Sequence, residues 1–345
     1  MVIDGVPDRE IIINGKPFLY FGGTSYLGLS SNEAFQNNVI SGIKKWGTAY
    51  GSSRNANIKL AVFNKAEHLF AKLIGADAAV TCSSGTLAGK LVLDYLSKNI
   101  NGFYHYPKTH PAILHPNSKP VFVDGKLHPN LLTNTFETIV ITVDAFLGLE
   151  VMPTSFNFLN DISSHKKIIL VVDESHSLGI FGNYFETVFS TISNEKLFKK
   201  IIVSSLGKAL GISGGIIAAD EDFIDGLKEE PNFVSSSSIN PAYLEAFLGS
   251  QEIIKIQQKK LKSNLAFLFD GLNLNSDFKF HKNYPVIYCI NEEISNFLLT
   301  KNMVITNFKY PTYKKVMSRI VITANHTEAD LYSLKQALLK VSKSY

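Results

Sequence analysis

Cysteine is scarce in this chain, with two residues, Cys82 and Cys289, among 345. That excludes a disulfide framework and fits a reducing compartment such as the cytoplasm. Long apolar runs are missing as well. None approaches the ~20 residues that a bilayer-crossing helix needs, so no membrane partner is expected. Neither sign of charge dominates: 34 Lys and Arg face 30 Asp and Glu, for a net charge of +4. No basic run exceeds a lysine pair, which argues against a nucleic-acid partner. The opening MVIDGVPDRE carries three acidic residues and no apolar stretch, so it does not read as a secretory signal. There is no repeat of fixed period and no low-complexity tract. No GxGxxG follows the first strand, which counts against a dinucleotide-binding protein. No metal-ligand set is expected.

What remains is ordinary globular composition, 45% hydrophobic and 19% charged, long enough for one large core and a smaller domain. Two stretches organise it. In SLGKALGISGG, Ser205 to Gly215, the apolar run Ile201-Ile202-Val203 leads into a loop of small residues around Lys208. A lysine at the end of an inner strand is either solvated or engaged by a partner. Upstream, IILVVDESHSLGIFG runs from Ile168 to Gly182. Five apolar residues lead straight into Asp173, as in a parallel strand covered on both faces. Asp173 then falls at a strand's carboxyl end, where open α/β sheets bind ligands. A helix N-cap is its other reading. An acid closing one buried strand and a lysine closing the next suggest a pyridoxal phosphate site. Lysine condenses with the aldehyde, and the carboxylate keeps the pyridine nitrogen protonated, so that the ring accepts electrons. His176, in the same loop as Asp173, is within reach of the ring's phenolic oxygen.

The rest of the chain supplies the frame. Two strands flank the Asn14-Gly15 turn. A helix over Asn32–Lys45 should bury Ala34, Phe35, Val39 and Ile43, and a second helix spans Phe63–Ile74. Ala78–Cys82 reads as a strand that turns through Ser83–Thr86 into a helix. The Gly85 and Thr86 backbone there suits a phosphate, or merely a capped helix start. Strands at 102–106, 120–123, 138–143, 167–172, 200–204 and 215–219 alternate with helical or loop segments, which predicts a mostly parallel sheet flanked by helices. His110 could stack on a flat cofactor or lie on the surface. Beyond Phe223 come the serine run Ser235–Ser238, one long helix over Pro241–Phe269, and short strands with two further helices. Arg319 opens a buried strand and could clamp a carboxylate or sit at an edge.

In this order the motifs SYLGLS (25–30), SSR (52–54), SSG (83–85), THPAIL (109–114), VVDESHSLGIFG (171–182), SSLGKALGISGG (204–215) and RIVITANHT (319–327) resemble the α-oxoamine synthases. These are fold-type I pyridoxal phosphate enzymes of the class II aminotransferase superfamily. The resemblance implies an α/β fold, with a large cofactor domain at 46–228, a small α+β domain at 229–345, and an N-terminal segment, 1–45, packing with the small domain. It implies condensation of an amino acid with an acyl-CoA, with decarboxylation, to a 2-amino ketone, in a cytoplasmic homodimer. An aminotransferase or lyase of the same fold is the alternative. In its terms Lys208 forms the Schiff base, Asp173 pairs the ring nitrogen, His176 the phenolic oxygen, and His110 stacks on the ring. Gly85, Thr86 and Ser205 hold the phosphate, joined by Ser237 and Ser238 from the dimer partner. Arg319 and Thr24 meet the substrate carboxylate. Thr24 stands where the family has Asn, Thr86 where it has an aromatic, and Ile58 where it has Gly. AFLGLEVMP, Ala145 to Pro153, replaces a slightly longer substrate-side segment.

Overall fold

The strand Lys166–Asp173 lies at the centre of a seven-stranded sheet. The structure is a computed structural model, and it describes all residues except 148–149, 183, 193–194, 292, 309–316 and 344–345. Along the strand, Ile168, Leu170 and Val172 pack into one core cluster and Ile169 and Val171 into another on the opposite face. The period-two alternation of side chains thus feeds two helical layers at once, which is why the sequence reads as an unbroken apolar run. Each such side chain, fully buried, contributes about 1.5–3 kcal/mol.

The sheet order, by residue range, is Ala78–Cys82, Gly215–Ala219, Leu197–Ser205, Lys166–Asp173, Glu137–Asp144, Gly102–His105 and Lys119–Pro120. Only Gly215–Ala219 runs against the others. Its connection to the preceding strand, residues 206–214, is too short for a parallel crossover, which takes a dozen or more residues. The strand expected over 120–123 is divided. Pro120 ends the edge strand, and Phe122–Val123 pairs instead with Lys126–Leu127. Asp124 and Gly125, both at positive φ, make the tight turn between these two.

A second, six-stranded sheet takes the order Glu10–Ile13, Lys16–Phe21, Met303–Phe308, Met317–Val321, Val286–Cys289 and Phe278–Phe280. The N-terminal hairpin therefore shares a sheet with strands from the end of the chain.

Two helices differ from expectation. In Glu33–Trp46, Phe35 and Gly42 are buried, whereas Ala34 is exposed and Ile43 is 38% exposed. The inward stripe is turned toward Gly42, which lies against the Ala242 backbone so closely that a Cβ would stand 2.6 Å from the Ala242 carbonyl oxygen. The single helix expected over Pro241–Phe269 is two, Pro241–Gly249 and Gln251–Phe269. Ser250, buried and non-helical, breaks the run, and its N–H turns back to the Phe247 carbonyl.

One buried ion pair fastens the large sheet to the helix Ala61–Ile74. Glu67 accepts from Arg54 Nη2 at 2.9 Å and from the Thr81 N–H and hydroxyl at 2.7 Å each. Glu67→Ala strands the Arg54 cation and the Thr81 donors in a dry site, and should cost about 3 kcal/mol in urea denaturation. A cost below about 1 kcal/mol would place the pair among exposed ones.

Candidate active site

The carboxyl ends of the parallel strands meet along one edge of the large sheet. Asp173 is the last residue of its strand, and Asp144, the last residue of Glu137–Asp144, is its register partner. Aligned positions of parallel strands put their side chains on the same face. Asp173 Oδ1 accepts the Ser175 N–H at 2.8 Å, and Ser175 Oγ accepts the Ser205 N–H, also at 2.8 Å. Short bonds thus tie the Asp173 loop to the loop that carries Lys208.

Lys208 is half-buried, and its amine lies 2.9 Å from His176 Nε2. Burial lowers its pKa, the Asp173 and Asp144 charges oppose that, and Arg319 reinforces it. His176 is held well below the ordinary imidazole value, first by burial and then by the Lys208 charge. It is therefore neutral, with one ring proton. One ring nitrogen, Nε2, shares a hydrogen bond with the Lys208 amine, and the other, Nδ1, shares one with the Tyr26 hydroxyl at 2.9 Å. Tyr26 is fully buried, which pushes its phenol up to about 12. Tyr284, equally enclosed, is its next neighbour in this polar line. Tyr26→Phe removes the partner of a buried ring nitrogen. It should cost about 1–2 kcal/mol and about tenfold in turnover, read by thermal denaturation and steady-state rates. An unchanged rate would take Tyr26 out of the working site.

His110 stands at the edge of the cluster. Its N–H points at Asp144, 3.2 and 3.4 Å from the two oxygens. Its Nδ1 accepts the Ala112 N–H at 3.1 Å, which leaves the ring proton on Nε2. Burial lowers the His110 pKa, against the pull of Asp173.

Gly85 and Thr86 open the helix Gly85–Ser97, which Ser84 caps by accepting the Leu87 N–H. Gly85 sits so tightly against the lysine loop that a Cβ would be 2.8 Å from the Ser205 Cα. The Gly85 and Thr86 N–H groups, which have no intrahelical partner, therefore lie close to Ser205, whose hydroxyl the Gly207 N–H approaches at 3.3 Å. Helix start, glycine and hydroxyl form a cradle for an anion. With an acid pair, an amine and a histidine alongside, the donor set matches the phosphate, ring nitrogen and aldehyde of pyridoxal phosphate.

Arg319 reaches the same region from the other sheet. Its Nη2 donates to the Gly23 carbonyl at 3.0 Å, next to half-buried Thr24. Its charge bears on His176, Lys208, Tyr26 and Tyr284. Ser237 is exposed, and Ser238 half-buried, in the link between Pro231–Ser235 and Pro241–Gly249. Among the described residues, Ser237 is not hydrogen-bonded to the Lys208 cluster. The substituted segment Ala145–Pro153 forms a small hairpin, Phe146–Leu147 with Met152–Pro153, and Gly148 and Leu149 lie outside the described residues.

Sequence reasoning missed Tyr26, Asp144, Ser175 and Tyr284. Asp144 carried a signal: it ends a mostly apolar run, Ile139–Val143 with Thr142 inside it, much as Asp173 ends its own. Asn325 and His326, within the last motif, hold the 21–31 loop in place. Asn325 reaches the Gly28 carbonyl and Ser31, and His326 stacks on Phe21.

Sheet order and site together define a fold-type I α/β transferase. A serine palmitoyltransferase from S. paucimobilis, solved with a bound PLP–myriocin aldimine, superposes with a TM-score of 0.82 at 16% identity, over 99% of this chain and 92% of that one. The model of the family "Aminotransferase class I and II" matches residues 154–338, more than half of the chain, and the chain belongs to that family. Among curated proteins it is similar to 8-amino-7-oxononanoate synthase of Lysinibacillus sphaericus, 25% identical over 97% of this chain and 92% of the relative. It is also similar to serine palmitoyltransferase of Sphingobacterium spiritivorum, 27% identical over 73% of this chain and 65% of the relative.

Proposed function

We propose that the chain is a pyridoxal phosphate-dependent acyltransferase that condenses an amino acid with an acyl-CoA and releases CO₂, giving a 2-amino ketone. The observation that carries this reading is the cluster of Lys208, His176, Asp173 and His110 on one sheet edge, beside the anion cradle of Gly85, Thr86 and Ser205. The condensing enzymes among its relatives support the reaction class.

Asp173 would face the ring nitrogen, His110 the ring's flat side and His176 its phenolic oxygen, with the phosphate in the cradle. When bound, the cofactor supplies an aldehyde for an amine and a ring that draws off negative charge from the amino acid's α-carbon. The chain's own residues do the rest. Arg319 and Thr24 take the substrate carboxylate and fix the α-carbon near Lys208. The Lys208 amine, its pKa lowered by burial, accepts the proton from that carbon. His176, held by Tyr26, keeps the amine in place until it is needed. Buried Tyr26, Tyr284 and Phe146 exclude water from that side.

The test uses protein loaded with pyridoxal phosphate and offered alanine, glycine or serine, with and without an acyl-CoA. Free CoA thiol formed only when both substrates are present supports the reading. Keto acid formed without acyl-CoA would make the chain an aminotransferase instead. We further infer a cytoplasmic homodimer in which exposed Ser237, with Ser238, completes the phosphate cradle of the other copy. Exposed Ile40, Ile43 and Ile58 offer apolar area for the contact, and sedimentation equilibrium reads the mass. The two free, buried thiols suit a reducing compartment. We propose a division into 1–45, 46–228 and 229–345, supported by the sheet that the N-terminal hairpin shares with the C-terminal strands.

A further inference from the structure

The pairing of Asp144 with Asp173 is left over from that mechanism. Both residues close parallel strands at the same register step and on the same face, so two carboxyls stand where one would serve a ring nitrogen. Asp144 is also placed from two other sides. Its oxygens receive the His110 N–H, and its backbone carbonyl accepts from Thr154 Oγ1 at 2.5 Å. The charged and titratable groups facing it are Asp173 on the next strand, His110 on the loop after Gly102–His105, and Lys208 beyond Ser205.

We propose that Asp144 and Asp173 act as a carboxyl pair that holds one proton in the unloaded site and releases it to solvent when pyridoxal phosphate enters. Two carboxylates at adjacent strand ends, Asp173 buried and Asp144 half-buried, resist ionising together. Burial, and then the Asp173 charge, raise the Asp144 pKa well above the ordinary carboxylate range, against the His110 N–H and Lys208. A protonated ring nitrogen brings a positive charge to the same edge and removes the reason for the retained proton. The Asp144 O–H bond then breaks, and its proton passes to the buffer. Asp144 is thus a positioning residue: it anchors the His110 backbone and adjusts the charge against which the ring nitrogen rests.

This inference rests on the cofactor reading, and the experiment separates the two. Titrating pyridoxal phosphate into the unloaded protein by calorimetry, in buffers of different ionisation enthalpy, counts the protons released. Asp144→Asn keeps an oxygen for the His110 N–H but has no proton to give. The wild type should release roughly one proton more than Asp144→Asn near neutral pH. Equal counts, or a smaller count for the wild type, overturn the pair, whereas failure of both proteins to bind overturns the cofactor reading itself. Should Asp144→Asn not fold, infrared difference spectra of the wild type decide the matter. Loss of a protonated-carboxyl C=O stretch on binding supports the pair, and its absence overturns it.

Discussion

Lys208→Ala protein keeps its fold but retains no borohydride-fixed pyridoxal phosphate, and its turnover falls by about 10⁴-fold. The expectation follows from where the amine sits. It lies 2.9 Å from a neutral imidazole and within the field of two strand-end acids, so it is poised both to condense with an aldehyde and to accept a proton. The side chain belongs to a loop rather than to either core cluster, so its loss leaves the sheets intact. Absorption of the loaded protein before and after borohydride reads the attachment, and steady-state rates read the turnover. A variant that still fixes the cofactor would move the reacting amine elsewhere.

Asp173→Asn carries the second large effect. The substitution is isosteric and leaves an oxygen to accept the Ser175 N–H, so the ties among Asp173, Ser175 and Ser205 survive. The charge facing the ring nitrogen does not. The cradle of Gly85, Thr86 and Ser205 should still bind the phosphate, so affinity weakens far less than rate. Turnover should fall about 10³-fold, the scale on which a preorganised charge at a reacting centre acts. Fluorescence titration with pyridoxal phosphate and steady-state rates separate the two quantities. A rate within about tenfold of the wild type would show that Asp144 or another group fills that role.

Much of this was legible in the residues because the large sheet is covered on both faces. Burial on both sides writes continuous apolar runs, and the polar residue that ends each run marks the strand's carboxyl edge. That logic puts Asp173 at the end of its strand, where the fold has it, and applied evenly it puts Asp144 at the end of the neighbouring one. Other features depend on contacts between distant segments. Tyr26 lies in a short loop motif, and only the fold sets its hydroxyl against a histidine 150 positions away. The break at Ser250 was hidden because Leu244, Phe247, Ile254 and Leu261 continue a helical pattern through it. Periodicity misplaces the inward face of Glu33–Trp46 because it scores Ala34 and Ile43 as apolar but gives Gly42 no weight. Gly42 lies against the Ala242 backbone with no room for a Cβ. The reversed strand Gly215–Ala219 was fixed by loop length, which hydrophobic periodicity does not register.

The central claim is that one particular amine, Lys208, meets the cofactor. Its most direct test is to load the protein with pyridoxal phosphate, reduce it with borohydride, digest it, and locate the pyridoxyl mass by peptide sequencing in the mass spectrometer. The account predicts the adduct on the peptide containing Ser205–Gly215, at Lys208. An adduct confined to another lysine, or no adduct from protein that binds the cofactor, would contradict it.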